Sequence, residues 1–302
     1  MTVQMPPLYP LTTITWAGGG SIGVSPVPVS GSNLFTGGTL VTVTANPSNG
    51  WTFLGWQGDA SGSNPAATLI MNQGMVVQAV FGSAVISNVL GAGRIQFNPP
   101  VAMYPLGPGA IVTAVPDPGN YFMAWAGALT GSGNPAELPM TSGSPVLTAL
   151  FGPLDSGLCA LTVVPQDGGT VTLSPRTNRY DSGSVVLVTA IARGRAAFTG
   201  WGGDASGSQN PLSVTMNRSK VITAGFRQYP LLGSTPPLNR MTEQGYRFSV
   251  IGALGGVFRI DGSTDFKSWT ALGYVTNSLG TSQFLDTDAV TNASHFYRAV
   301  AQ

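Results

Sequence analysis

Three tryptophans, Trp56, Trp125 and Trp201, each stand at the centre of the same spaced set of residues, and this recurrence limits what the chain can become. Phe53, Phe122 and Phe198 lie three residues before them, and Met71, Met140 and Met216 lie 15 after. Thr44-Ala45, Thr113-Ala114 and Thr189-Ala190 fall 12 and 11 residues before each Trp, and Phe35, Tyr104 and Tyr180 fall nine before each Thr. Gly20, Gly93 and Gly169 each precede a proline (Pro26, Pro99, Pro175) by six residues, and Phe81, Phe151 and Phe226 close the three stretches. A period of 70 to 75 residues carrying this many fixed offsets describes a tandem array of one small structural unit.

Each unit is expected to be built from strands. Apolar and polar residues alternate in Leu40-Val-Thr-Val-Thr-Ala45, Val185-Val-Leu-Val-Thr-Ala190 and Val221-Ile-Thr-Ala-Gly-Phe226, the period of a half-buried strand. Turn-forming clusters such as Asn46-Pro-Ser-Asn-Gly50 and Gly58-Asp-Ala-Ser-Gly-Ser-Asn-Pro65 separate the runs. No segment sustains a helical period, and 41 Gly with 23 Pro would interrupt one. The expected fold is all-β, a tandem array of four small antiparallel β modules. Its parts are an extended arm (1–10), unit one (11–82), unit two (83–152), a linker with unit three (153–227), and a terminal module (228–302). Two residues, Gly82 and Ser83, join the first two units, which predicts a stiff rod. Pro153-Leu-Asp-Ser-Gly157 is the expected hinge.

From Tyr229 onward the period is lost, although strand patterns continue in Tyr246–Ile251, Gly256–Ile260, Ser263–Leu272, Gln283–Asp288 and His295–Val300. Two family resemblances follow. The pattern Gly-x-x-Phe-x-x-Trp-x-Gly-Asp-x-x-Gly, then Asn-Pro, a strand, Met-Asn and a closing Ala-x-Phe, resembles the divergent internalin-type B-repeat of bacterial surface proteins. The likeness spans Leu11 to Arg227 in three copies. It is closest in unit three, through Trp201-Gly-Gly-Asp204 and Met216-Asn217, and weakest in unit two, where Ala128 and Thr141 replace the Asp and Asn. The terminal module, through Ser263-Thr-Asp265, Trp269 and Phe296-Tyr-Arg298, resembles a small fibronectin-like module of secreted bacterial repeat proteins, with a role in sorting, capping or assembly. The B-repeat resemblance implies an extracellular spacer or adhesion segment, no catalytic role and no particular ligand.

Charge is scarce. Asp, Glu, Lys and Arg make up 8% of the chain, against about 25% in a typical soluble domain, while 43% of residues are hydrophobic. Asp59 is the one charged side chain between Met1 and Gly93. Disorder calls for the opposite composition. The net charge of +1, with basic residues scattered between Arg176 and Arg227, offers no stripe for nucleic acid. No run of 18 apolar residues is present, so no membrane span is expected. The opening Met1–Pro10 has neither the basic nor the apolar segment of a secretory leader.

The chemistry-bearing residues are few. Cys159 and His295 are each the sole residue of their kind, which leaves no internal disulfide and no Cys/His metal site; Cys159 is expected in the core or in an intermolecular disulfide. His295 with Asp286 and either Ser263 or Ser294 would supply the residue types of a catalytic triad, but neither serine lies in a nucleophile elbow. Asp286 and Asp288, expected on one face of a strand, and Asp261 and Asp265 are the candidates for paired carboxylates or Ca²⁺ ligands, set against a role in turns. Asp59 and Asp204 sit in Gly-Asp-Ala-Ser-Gly loops and are expected to form Asx-turns. Trp16, Trp51 and Trp269 are candidates for sugar stacking or packing. The only lysines are Lys220 and Lys267, so units one and two have none for an isopeptide cross-link. Asn217-Arg-Ser219 and Asn292-Ala-Ser294 fit the N-glycosylation pattern.

These features predict a non-enzymatic extracellular or cell-surface structural protein with no catalytic residue, cofactor or metal. Its expected partners are other copies of itself, joined head-to-tail through residues 1–10 into a filament or surface layer. The alternative is a monomeric adhesin stalk or a module that binds cell-surface glycans.

Overall fold

The computed structural model describes residues 5–15, 18–29, 32–166, 168–234, 236–290 and 295–302. Trp16, Ser294 and the glycosylation pattern at 292–294 lie outside them. The described residues form strands joined by turns and loops, with one short 3-10 helix, Thr287–Val290.

The same two-layer plan occurs in each of the first three segments. One layer holds three antiparallel strands: Gly20–Ser25, Leu40–Pro47 and Ala66–Ile70 in unit one, with counterparts Gly93–Asn98, Gly107–Pro116 and Ala136–Met140, then Gly169–Ser174, Val185–Ala192 and Leu212–Thr215. The other layer pairs the Trp-bearing strand (Thr52–Gly58, Asn120–Gly127, Ala196–Gly203) antiparallel with the closing strand (Met75–Ser83, Val146–Pro153, Lys220–Gln228). The closing strand also pairs with the opening strand (Leu8–Ile14, Ile86–Leu90, Leu161–Pro165), and this contact is parallel in all three. No hairpin links opening and closing strands, so nothing forces them antiparallel. In the terminal module Gly245–Ile251 lies between Thr281–Asp286 and the short strands Leu231–Gly233 and Arg240–Thr242, facing a second sheet of Thr270–Thr276, Val257–Ser263 and Phe296–Ala301.

Four hydrophobic clusters fill these layers. In the first three the Phe–Trp ring centroids lie 5.1, 4.7 and 4.9 Å apart, and the Trp indole donates to a carbonyl eight residues on, at Asn64, Gly133 and Gln209. All three tryptophans, Phe53 and Phe122 are buried, whereas Phe198 is half-buried. Leu106 of unit two packs into the cluster of unit one, and among the described residues no terminal-module side chain does the same for unit three. Cys159 is buried, its thiol pointing to the Met216 carbonyl.

Gly20, Gly93 and Gly169 are explained by the closing phenylalanine. A Cβ on Gly93 would lie 2.7 Å from the Phe151 ring, and Gly20 and Gly169 meet Phe81 and Phe226 in the same way. The ring therefore lies on bare backbone.

Two boundaries differ from expectation. Leu8–Pro10 pairs with Leu34–Thr36, so the end of the arm is part of unit one's sheet. Pro10 is tolerated there because the adjacent Leu11 supplies the donor, its N–H bonding Asn33 O. The Pro153–Gly157 linker is tied down as well, since Leu154 N–H donates to Gly119 O and Asp155 faces Arg179 at 3.6 Å.

The units do not run out as a rod. Tyr104–Pro105 adds to the edge of unit one's closing strand at Gly82–Ser83, and Ser144 N–H donates to Ser83 Oγ. Strand Leu161–Pro165, buried along its length, runs beside unit two, where Asn98 donates to the Pro165 carbonyl. The terminal module then returns to unit one.

Candidate functional site

The site begins with a glycine. Gly58 has φ +92°, and a Cβ there would lie 2.1 Å from the Val76 carbonyl oxygen. This turn places Asp59 across the start of the closing strand. Asp59 N–H donates to Val76 O at 2.7 Å, and Asp59 Oδ2 accepts Val76 N–H at 2.7 Å. Unit three repeats the device through Gly203, Asp204 and Val221. Unit two keeps only the backbone half, Ala128 N–H to Val146 O. The expected Asx-turn is therefore corrected: the carboxylate bonds a backbone group 17 residues away, not its own turn.

The two aspartates differ in what their remaining valence holds. Asp204 Oδ1 takes Arg218 of its own unit at 2.6 Å, and that guanidinium is mostly exposed. The Asp204 carboxyl is held below its ordinary range, first by the Arg218 hydrogen bond and then by Val221 N–H. Asp59 instead receives two arginines from the terminal module: Arg247 at 2.8 Å on Oδ1, and Arg240 on Oδ2. The Asp59 and Arg247 side chains are 6% and 8% exposed.

Arg240 and Arg247 sit directly opposite each other on paired strands. Like charges so placed repel, and a carboxylate between them removes the penalty. Unit one has no second charge that could do so. Around this cluster Gln57 donates to the Thr281 carbonyl, and Gly58 N–H donates to Gln283 Oε1 at 2.7 Å. Leu279 covers Gly55, and Leu238 reaches Gly58. Gln78 and Val80 of unit one's closing strand are buried beside a cavity of about 340 Å³ that Leu238, Ile251 and Leu279 of the terminal module also line. Sequence reasoning named Asp59 but missed its partners; its isolation as a lone charge was the available signal.

Elsewhere the structure brings two of the proposed triad residues together. His295 Nδ1 lies 2.7 Å from Asp286 Oδ2, and the Tyr297 hydroxyl donates to the same oxygen at 2.9 Å. Burial and this carboxylate push the Tyr297 phenol well above its ordinary value. Ser263 is engaged instead with Asp265 at 3.1 Å. Among the described residues no serine contacts this His–Asp pair, which joins the residue before strand Phe296–Ala301 to the end of strand Thr281–Asp286.

The carboxylates do not pair. Asp261 is buried between Arg259 and Arg298, which hold its carboxyl below the ordinary range, Arg259 contributing most. Asp265 accepts N–H groups from Lys267 and Ser268 in its own turn. Asp288 lies on the 3-10 helix rather than on the strand with Asp286, which corrects the expected shared face. Trp51 is buried, and Arg298 covers one face of the half-buried Trp269 ring at 4.5 Å. Among the described residues no helix is long and apolar enough to cross a membrane.

Comparison with known proteins returns no curated relative. It does return a family: residues 11–84 and 159–230, corresponding to units one and three, match the divergent InlB B-repeat domain, a repeat of bacterial surface proteins that is typically non-catalytic.

Proposed function

We propose that this chain is a non-enzymatic structural protein of the bacterial cell exterior, and that copies of it associate into a filament or surface layer. Unit two is then a third copy of the repeat, and the terminal module a fibronectin-like cap. The observation that carries this reading is the use of charge. The single charged side chain of the first 93 residues is buried in a contact between modules, which leaves the outer surface of unit one without charge. Unit two continues that surface: Ile86, Leu90 and Val146 are exposed on one sheet. Surfaces without charge are poorly protected against self-association.

The test is a concentration series of the full-length protein, followed by light scattering and negative-stain imaging. Regular polymers are expected. A protein that remains monomeric at high concentration overturns the filament reading and favours the monomeric stalk, whose glycan partner a binding array would then seek.

A further inference from the structure

The contact between unit one and the terminal module joins modules that are far apart in the sequence, with units two and three between them. We infer that the Asp59 face of unit one is also the surface on which one copy of this protein receives the terminal module of another copy. This inference rests on the self-association proposed above and supplies its partner and its surface.

Three observations carry it. The first is charge complementarity. Asp59 is the lone charge of unit one and meets two arginines of the terminal module, so the face selects that module by sign as well as shape. The second is uniqueness. The residues equivalent to Gln57 and Asp59 are Ala126 and Ala128 in unit two, which offer no anchor. In unit three they are Gly202 and Asp204, and Asp204 is already paired with Arg218. Each chain therefore carries one acceptor face and one donor module. The third is the connection. Between the closing strand of unit three, ending at Gln228, and the terminal module's first strand, starting at Leu231, lie only Tyr229 and Pro230. A module held by so short a hinge reaches its own unit one or a neighbour's by a change at two residues, the arrangement from which domain exchange arises.

Within one chain the contact closes the array. Between chains the same hydrogen bonds and ion pairs form, and concentration decides which closure dominates. One donor and one acceptor per chain give an open head-to-tail polymer, or a reciprocally exchanged dimer if the ends meet.

The test uses charge reversal in two full-length variants. Asp59→Arg repels its own arginines; unit two, with Ala128 at this position, already forms the same loop without a carboxylate. Arg240→Glu/Arg247→Glu repels its own Asp59. Alone, each is expected to sediment as a monomer. Mixed one to one, each terminal module meets an opposite charge on the other chain, and a heterodimer is expected at concentrations at least ~100-fold below those at which either variant self-associates, the ratio that about 3 kcal/mol of interface energy produces. A chain carrying all three substitutions restores complementarity internally and should melt like the wild type, which establishes that the reversed charges are tolerated.

A mixture that stays monomeric while the triple variant melts normally overturns the inference. If the wild type still polymerises in that case, the filament reading survives on another surface. If the mixture dimerises while the wild type never polymerises, the exchange surface stands and the filament reading falls. If the triple variant does not melt like the wild type, the charge cluster is not what docks the module, and the inference also fails.

Discussion

Asp59 and Asp204 occupy the same place in two units and hold the same backbone N–H, so replacing each with alanine separates closure of the loop from docking of the terminal module. In Asp204→Ala the closing strand loses its bond to Val221 N–H at an exposed position, and Arg218 moves into water. The solvated ion pair adds little, so the cost expected is that of one backbone hydrogen bond, about 1 kcal/mol. Asp59→Ala leaves Val76 N–H without its acceptor in a buried position and strands Arg247 among buried groups. Breaking a buried pair from one side costs about 3–5 kcal/mol. The loss is capped by the docking free energy, because the module can swing away and hydrate both guanidinium groups. A difference of about 2–4 kcal/mol between the two variants is therefore expected by urea titration, with an increased radius of gyration in solution scattering for Asp59→Ala alone. Equal costs with unchanged scattering would refute the claim that Asp59 holds the terminal module in place.

Truncating Trp125 to alanine should cost about 3–5 kcal/mol in thermal or chemical melts, since its ring is buried against Phe122; a cost below 1 kcal/mol would remove it from the core. Gly93→Ala should destabilise unit two by about 1–3 kcal/mol because the new methyl meets the Phe151 ring, and Gly93→Ala/Phe151→Leu should recover part of that loss. The Asp261 carboxyl is depressed in the folded state, so its contribution is present above the ordinary carboxylate range and is lost as pH falls below about 4. The melting temperature of the terminal module should fall there, and Asp261→Asn should flatten that dependence; an unchanged acid limb would show that Arg259 and Arg298 do not stabilise the charged form.

The strands, the Phe–Trp centre of each unit and the burial of Cys159 were legible because each depends on local alternation or on offsets that recur. Gly20, Gly93 and Gly169 were visible as landmarks, but their cause, a ring 57 to 61 residues further along the chain lying across the strand, exists only in three dimensions. The parallel pairing of opening and closing strands was hidden because the alternation of a strand carries no direction. The Asp59 cluster was half legible. A lone carboxylate in 93 residues asks for a partner, yet nothing in the spacing of Arg240 and Arg247 identifies them as that partner. The His295–Asp286 contact joins two of the residue types named for a triad, but nothing in their spacing shows that they meet.

The parallel contact between each unit's first and last strands has a mechanical consequence. Tension applied along the chain pulls the opening strand by its N-terminal end and the closing strand by its C-terminal end, so the two are drawn lengthwise past each other. Every hydrogen bond of Ile86–Leu90 against Val146–Leu150, and of Leu161–Pro165 against Lys220–Ala224, then carries load together instead of parting one at a time. Stretched between two anchors, each unit should resist as a clamp until it yields abruptly, and single-molecule pulling would record separate, tall rupture peaks for them. A low, continuous extension in that experiment would mean that the parallel strands do not bear the load.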